Sequence, residues 1–295
     1  MELFPKPPWI GLNSARARNP LGFEWYTYAS HYVLNILLIY LFLARERFSY
    51  FALMFFAIAS SWVFFVTDSR NSFFLCLIVL AVVFVQKIRG WKVKRRRILD
   101  FLLSYSFVLC AVISVVLLLF IPHESILGSA LNKAFSNRLV QTQYTFNQYG
   151  PSLFGNEIEW VTSITILSGK TTATIYNYID CSYLCILIEC GVIVFLIVIS
   201  MLTMLCRKAV KNGDYILAFI LSMYAVHSIL DPQLFMLNYC CFLLLLGKLC
   251  SADDHSWTSS CFSSPKGSEQ SIFRVDDGAG RTFRALRDGW TISMK

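Results

Sequence analysis

The sequence has little charge and few extended polar stretches. Only 15% of its 295 residues are Asp, Glu, Lys or Arg, whereas 56% are hydrophobic and 25 are Phe. The mean hydropathy is +0.57. A soluble domain does not carry this composition, so the chain is expected to be an integral membrane protein. Its net charge of +8 is concentrated in a few short links, and it therefore does not indicate a nucleic-acid-binding surface.

Several signatures of soluble enzymes are also missing. The chain has no P-loop, no G-x-G-x-x-G and no HExxH motif. Its ten cysteines form no C-x-x-C with a matching second pair, so they do not support a zinc site. Residues 122–181 contain no D-x-D pair, which argues against a metal-dependent transferase that uses nucleotide sugars. We therefore predict neither a metal nor a cofactor.

Long apolar runs dominate what is present. Seven runs approach or reach the length of about 17–25 residues that a helix needs to cross a bilayer. The predicted helices are Tyr28–Ala44, Tyr50–Val66, Ser72–Ile88, Phe101–Ile121, Ser182–Cys206, Tyr215–Leu230 and Leu234–Cys250. They predict an all-α, polytopic bundle of about seven transmembrane helices. The last two are short and share the link 231–233, so they are expected to form a hairpin that does not fully span.

These helices divide the chain into five predicted parts. They are an outer leader with an Arg-x-Arg motif (1–27), four transmembrane helices (28–121), one large extracellular loop (122–181), three further helices (182–250) and a disordered cytoplasmic tail (251–295). Within the loop, Leu127–Val140 has apolar residues at helical spacing and predicts a short amphipathic helix.

Basic residues concentrate in three of the links between helices. The clusters are Arg45 with Arg47, seven Lys and Arg residues within 87–97, and Arg207 with Lys208 and Lys211. The positive-inside rule assigns these links to the cytoplasm. Helix parity then predicts an outer N-terminus and a cytoplasmic C-terminus in a multi-pass protein of the plasma or inner membrane.

Four isolated arginines fall on the predicted outer face, where the rule disfavours cations. They are Arg16, Arg18, Arg70 and Arg138. Guanidinium is always charged and binds phosphate oxygens through two parallel contacts. If the four converge, they form a cradle suited to a lipid-linked pyrophosphate. Alternatively, each pairs with a lipid phosphate or a nearby carboxylate, as Asp68 offers to Arg70.

Acidic and histidine residues near the same face are candidates for catalysis. Asp180 lies where the loop re-enters the membrane, and it either caps the fifth predicted helix or binds a sugar hydroxyl. His227 and Asp231 are four residues apart, so they share a helix face and can form a general base toward an acceptor hydroxyl. The alternative for His227 is a hydrogen-bonded packing role. His31 and His123 are further outer-side candidates in weaker context.

A series of short motifs carries a family resemblance. In chain order they are Arg16–Phe23, Thr67–Arg70, Asn137-Arg138, Tyr149-Gly150, Leu153–Gly155, Ile179–Leu184, Asp231 and Asn238–Leu244. Their order resembles that of the Wzy-type O-antigen and capsular polysaccharide polymerases and the related O-antigen ligases. The matched patterns are similar to T-x-S-R, D-N-S-Y-L and acid…N-x-x-x-L-L, and they extend over residues from about 11 to 246.

The resemblance implies a GT-C-like glycosyltransferase that uses no metal and no nucleotide sugar. Its donor would be an oligosaccharide on undecaprenyl pyrophosphate at the outer leaflet, which it would join to another lipid-linked repeat unit. The four outer arginines, with Tyr183 and Asn238, would bind the donor. Asp180, His227 and Asp231 would be catalytic. Expected partners are the lipid-linked oligosaccharide, membrane lipids and other polysaccharide-export proteins, with no nucleic acid.

Two other interpretations remain open at this level. A ligase would transfer the same donor to a different acceptor. A non-enzymatic membrane protein, such as a transporter or flippase-accessory fragment, would be favoured by the acidic Glu189 inside the fifth predicted helix. Family members commonly have ten or more helices, with several before the Arg-x-Arg segment, so the resemblance implies an N-terminally truncated member.

Overall fold

The computed structural model describes residues 19–23, 25–90, 97–122, 124–134, 138–161, 177–250, 284–286 and 289–291. The chain divides into two units, Met1–Ser251 and Ala252–Lys295. In the second unit, the described residues form an antiparallel pair of strands, β1 (Arg284–Leu286) and β2 (Gly289–Thr291). The remainder of the predicted disordered tail lies outside the described residues, as do Arg16 and Arg18 of the leader.

The described part of the first unit is helical. Its α-helices are α1 (Tyr28–Ala44), α2 (Tyr50–Thr67), α3 (Arg70–Arg89), α4 (Arg97–Ser104), α5 (Ser106–Phe120), α6 (Ile126–Ala134), α7 (Arg138–Tyr149), α8 (Ser182–Glu189), α9 (Gly191–Lys211) and α10 (Tyr215–His227). Two 3-10 helices, Arg45–Arg47 and Cys241–Cys250, complete it.

Four described helices are long and apolar enough to cross a membrane, and five if one bent pair counts as a single span. The four are Tyr28–Arg47, Tyr50–Thr67, Arg70–Arg89 and Gly191–Lys211, and the bent pair is Arg97–Ser104 with Ser106–Leu117. Large apolar side chains such as Phe51 and Phe65 are exposed on their outer faces, as lipid contact requires. The described fold is thus that of a helical membrane protein, whereas the predicted count of seven spanning helices is not confirmed.

The first three predicted helices agree with α1, α2 and α3 to within two residues at each end, but the later ones differ. The fourth is bent by 66° between α4 and α5. The fifth is interrupted between α8 and α9. The sixth ends at His227 and is followed by tighter turns, in which the N–H groups of Ile229 and Leu230 donate to the carbonyls of Val226 and His227. Pro232 lacks an N–H and prevents the helix from resuming there. The seventh is replaced by turns and the 3-10 helix Cys241–Cys250.

The described residues of the basic links gather at one end of the bundle, which we call the basic end. Arg45 donates through Nη1 and Nη2 to the two carboxylate oxygens of Asp214, at 3.2 and 2.9 Å. Asp214 also caps α10 by accepting from the Leu217 N–H. Lys87 donates to the Phe48 carbonyl at 2.6 Å. These contacts join the links that the charge pattern assigns to one side of the membrane.

A short non-helical segment, residues 152–156, crosses the interruption between α8 and α9. The Asn156 N–H donates to the carbonyls of Ile188 and Glu189, and the Val192 N–H donates to the Ser152 carbonyl. Carbonyls left open by the helix break are thereby satisfied, as backbone polar groups away from water require. Glu189 itself is exposed at this break.

Replacing Gly155 by Ala is expected to destabilise this crossing strongly. Gly155 has φ +97°, and a Cβ there would overlap the backbone of Glu189. Left-handed strain costs about 1–2 kcal/mol, and forced repacking adds about 1–3 kcal/mol. Gly213→Ala is the matched control, since Gly213 has φ +75° with open space around the added Cβ. Thermal unfolding in detergent should show a clearly larger loss for Gly155→Ala; equal losses would contradict the close packing of this segment.

Candidate functional site

Polar side chains from distant parts of the sequence meet at the bundle end opposite the basic end. Five of them form what we call the central cluster: His31, Arg138, Asp180, His227 and Asp231. They come from the first turn of α1, the start of α7, the link before α8, the end of α10 and the turn after it. Three of these, Asp180, His227 and Asp231, are the predicted catalytic residues, and Arg138 is one of the predicted donor-binding arginines.

Asp231 is the centre of the cluster. The early end of α10 at His227 and the following turn bring its carboxylate beside two imidazoles. His31 Nε2 lies 3.3 Å from Asp231 Oδ1, and His227 Nε2 lies 3.4 Å from Asp231 Oδ2. All three residues are buried. The sequence spacing predicts the His227 contact, whereas the only signal for His31 is its position near the predicted outer end of α1.

Arg138 bridges the two acids of the cluster. Its Nε lies 3.1 Å from Asp180 Oδ2, its Nη1 lies 3.5 Å from Asp231 Oδ1, and Nη1 also donates to the Leu230 carbonyl. Its side chain keeps 21% of its surface accessible. The prediction of one helix over Leu127–Val140 is wrong in its bounds, since α6 ends at Ala134 and Arg138 begins α7. Arg138 therefore contributes from a helix start instead of a helix end.

The first turn of α3 contributes an amide to the centre, while its first residue, an arginine, stays at the edge. The Asn71 Nδ2 donates to Asp231 Oδ2 and, at 3.4 Å, to the His227 carbonyl. Arg70 is 57% exposed and lies 3.8 Å from Asp68 Oδ1. Asn71 was not among the predicted site residues, although its position next to Arg70 is a signal that could have found it.

Ser72 Oγ lies 3.3 Å from His227 Nε2, the same nitrogen that faces Asp231. The hydroxyl, the imidazole and the carboxylate therefore form a connected polar chain from α3 to the turn after α10. Because this nitrogen of His227 already has two polar neighbours, a base role requires an acceptor hydroxyl to approach the same small space.

Asp180 pairs with Arg138 and does not cap the following helix. The N-cap residue of α8 is Cys181, and no side-chain capping bond forms there. Burial raises the pKa of Asp180, the charge of Arg138 opposes this shift, and the nearby Asp231 carboxylate adds to it. Of the two roles suggested by the sequence, the capping role is therefore not observed.

The pKa of Asp231 is shifted in the opposite direction from that of Asp180. Burial alone raises the pKa of its carboxyl, but the neighbouring His31, His227 and Arg138 together outweigh burial and hold the pKa well below its ordinary value. The Asp231 carboxylate consequently stays ionised at neutral pH. A fixed negative charge between two imidazoles favours either a proton or a metal cation at this position.

The residues that follow Asp180 support the Asp231 turn. Ser182 Oγ donates to the Asp231 carbonyl at 2.6 Å and accepts from the Leu234 N–H at 3.3 Å. Tyr183 is fully buried, and its hydroxyl donates to the Ala225 carbonyl at 2.8 Å. The structure thus gives Tyr183 a packing position beside α10, in contrast to the donor-binding role expected for it.

Asn238 lies at the exposed edge of the site. Its Nδ2 donates to the Tyr32 hydroxyl at 3.2 Å, and its carbonyl accepts from Asn35 Nδ2 at 3.0 Å. Tyr32 contacts Tyr239 with ring centroids 4.8 Å apart, and Tyr239 in turn packs edge-on against His31. Tyr239 is buried, whereas the Tyr32 ring is partly exposed and offers a surface on which the apolar face of a sugar can pack.

Arg16, Arg18 and His123 lie outside the described residues, so their predicted positions on the outer face stay predictions. Comparison with known proteins assigns no function to the cluster: no protein-family model, curated protein or solved structure matches the chain. Its chemistry is therefore inferred from the described side chains.

Proposed function

We propose that the protein transfers an oligosaccharide from a lipid-linked pyrophosphate to a second lipid-linked repeat unit, as a polysaccharide polymerase of the outer leaflet. The observation that carries the proposal is the position of Arg138 between Asp180 and the His227–Asp231 pair. A cation for a phosphate leaving group and a group that activates a hydroxyl are both needed for glycosyl transfer, and here they lie side by side.

Arg138 serves the donor half of the reaction. When the bond between the anomeric carbon and the phosphate oxygen breaks, its electron pair leaves with the pyrophosphate. A cation already in position stabilises that developing charge without rearrangement. Arg70, the exposed first residue of α3, adds a second guanidinium at the edge of the cluster. There it is suited to bind the second phosphate of the pyrophosphate.

The His227–Asp231 pair serves the acceptor half. An acceptor hydroxyl forms the new bond to the anomeric carbon and loses its proton, which the pair takes up as a general base. Burial lowers the pKa of His227 and keeps its imidazole neutral, as a base must be, while the ionised Asp231 carboxylate stabilises the charge that the imidazole gains with the proton. The net reaction is a new glycosidic bond plus a lipid pyrophosphate that carries away the bonding electrons.

The location of the cluster is consistent with transfer from a lipid-linked substrate at the outer surface of the membrane. The cluster lies at the end of the bundle opposite the basic end, and the positive-inside rule orients the basic end toward the cytoplasm. Transporters commonly bind their substrates near the bilayer midplane, whereas this cluster lies at the helix ends. Glu189, which favoured a transporter, is exposed at a helix break beside residues 152–156.

Complementation tests the proposal. The chain is expressed in a strain that lacks its polymerase but retains the matching glycan locus, and the surface glycan is separated on a gel. A ladder of long glycans is expected, with single repeats in the empty-vector control. Single-length glycan joined to a different acceptor would instead identify a ligase, and no transfer from a stably inserted chain would contradict both.

Arg70→Ala is expected to shorten the ladder only moderately. Arg70 is mostly exposed and its ion pair with Asp68 is long, so solvent screens its charge. We expect the transfer rate to fall by about 3–10-fold. This loss corresponds to the free energy of about 0–1 kcal/mol, or slightly more, that an exposed charge pair contributes. Asp68→Asn is the paired control on the same turn. Complete loss of the ladder with Arg70→Ala would show that Arg70 holds the donor more tightly than its exposure indicates.

A further inference from the structure

His31 is a buried histidine whose ring nitrogens have no hydrogen-bond partner among the described residues. Its Nε2 lies 3.3 Å from Asp231 Oδ1, but the two atoms are not aligned as a hydrogen bond. Buried polar atoms are nearly always satisfied, because leaving one without a partner is unfavourable. The unsatisfied Nε2, which lies beside the Asp231 carboxylate, indicates that another group binds there.

A small enclosed cavity lies beside this imidazole. It has a volume of about 10 Å³, and its lining includes His31, His227 and Gln233. The Oε1 of Gln233 is also buried without a hydrogen-bond partner among the described residues. A cavity of this size holds roughly one water molecule or one ion. The unsatisfied atoms of His31 and Gln233 thus border a space that fits a single small ligand.

We propose that His31, His227 and Asp231 bind one divalent transition-metal ion of the zinc class. One ligand atom from each residue lies within 4.8 Å of the other two. His31 Nε2 lies 3.3 Å from Asp231 Oδ1 and His227 Nε2 lies 3.4 Å from Asp231 Oδ2, and each distance is close to the separation of about 3.4 Å between tetrahedral ligands with bonds of about 2.0–2.1 Å.

The ligand set suits zinc and leaves one position open. Two imidazoles and one carboxylate are a common set for catalytic zinc, with the fourth position taken by water or substrate. Asn71 and Arg138 also contact the Asp231 carboxylate. Each carboxylate oxygen has two lone pairs, so these contacts orient the ligand without excluding the metal.

The charge of the surroundings also permits a divalent ion. With both imidazoles neutral, the carboxylates of Asp180 and Asp231 exceed the charge of Arg138 by one. A divalent cation that carries a bound hydroxide or alkoxide adds one net positive charge. The total charge of Asp180, Asp231, Arg138 and the bound ion is then zero. Neutral overall charge matters here because the cluster is largely removed from water.

The role of the metal, though not its binding, rests on the proposed function. A metal held by His31, His227 and Asp231 would bind the acceptor hydroxyl oxygen and favour loss of its proton. With His227 Nε2 occupied as a ligand, that proton would pass to solvent water instead of to the imidazole, while the acceptor oxygen forms the new bond to the anomeric carbon and the pyrophosphate leaves. This chemistry departs from the metal-independent transfer that the family resemblance implies.

Metal binding is tested on the full chain without any glycan substrate. The protein is purified in detergent with an affinity tag that contains no histidine, stripped with a chelator, incubated with Zn²⁺ or Co²⁺ and desalted. Retained metal is measured by elemental mass spectrometry, and Co²⁺ coordination by its ligand-field absorption. Unmodified protein should retain one ion per chain and show a four-coordinate Co²⁺ spectrum.

Matched variants decide where the ion binds. The chain has four histidines, so His123→Gln with His255→Gln removes both histidines outside the cluster; this double variant should retain one ion. His31→Gln and Asp231→Asn should each reduce retained metal at least tenfold. Zn²⁺ should also raise the Tm of unmodified protein but not that of His31→Gln. Equal retention by His31→Gln and unmodified protein, or no retention by folded unmodified protein, would overturn the proposal.

Discussion

Arg138→Gln should abolish the glycan ladder while leaving the protein in the membrane. The substitution removes the one described guanidinium that contacts both acids of the cluster, and with it the charge that stabilises the leaving pyrophosphate. Loss of one such donor typically lowers kcat by about 10²–10³-fold. Arg138→Lys should recover only part of the rate, because an ammonium keeps the charge but loses the two-point contact. Transfer rates are compared at equal amounts of membrane-inserted protein.

Arg45→Gln controls for the structural effect of losing a buried ion pair. Arg45 pairs with Asp214 at the basic end, much as Arg138 pairs with Asp180 in the cluster. Since both arginines are partly exposed, each substitution should destabilise folding by about 2 kcal/mol, near the lower end for such pairs. Only Arg138→Gln should eliminate transfer per folded molecule. A similar loss of transfer in Arg45→Gln would show that the effect of Arg138 is one of stability.

Asp231→Asn should have a comparably large effect on transfer. The substitution preserves the shape of the side chain but removes the negative charge between the imidazoles of His31 and His227. It also turns an amide N–H₂ toward donors such as Arg138 and Asn71, which leaves hydrogen-bonding groups unpaired. Loss of acceptor activation should lower the rate by about 10²–10⁴-fold. The measurement is the initial rate of chain lengthening in membranes with a fixed amount of protein.

Asp214→Asn is the matched control for this substitution. Asp214 is also buried and paired with an arginine, but it lies at the basic end, where it caps α10. It should lower the Tm to a similar degree and retain its transfer rate once the amount of folded protein is equalised. If Asp231→Asn retained the unmodified rate, the turn after α10 would have a structural role alone.

Part of this architecture is readable from the sequence. Long uninterrupted apolar runs gave α1, α2 and α3 nearly residue by residue, because helix length in a bilayer is set by the thickness of the hydrocarbon core. The later runs were misjudged at the breaks near Tyr105, Cys190 and His227. Apolar composition alone does not report such breaks, because a chain packed inside a bundle can leave the helix wherever neighbouring groups satisfy its backbone.

In the candidate site, too, the sequence predicts the local contacts but not the contacts between distant helices. His227 and Asp231 are predicted to interact because residues four apart can share a helix face. The helix ends at His227, but the following turn still brings the two side chains together. The contacts of Asp231 with His31 and Asn71 depend on how α1 and α3 pack against α10, which no local pattern reports. Arg138 was identified by its charge on the predicted outer face, although the helix that carries it begins at this residue instead of ending near it.

Chain lengthening by the purified protein is the most direct test of whether it transfers a lipid-linked oligosaccharide to a second repeat unit. The protein is reconstituted in liposomes with the native undecaprenyl-pyrophosphate-linked repeat unit, and both the glycan length and the released lipid pyrophosphate are measured by mass spectrometry. Unmodified protein is expected to give longer glycans and to release one undecaprenyl pyrophosphate for each new glycosidic bond. Arg138→Gln is expected to give neither product. Intact repeat units with unmodified, folded protein, and no binding of undecaprenyl pyrophosphate, would contradict it.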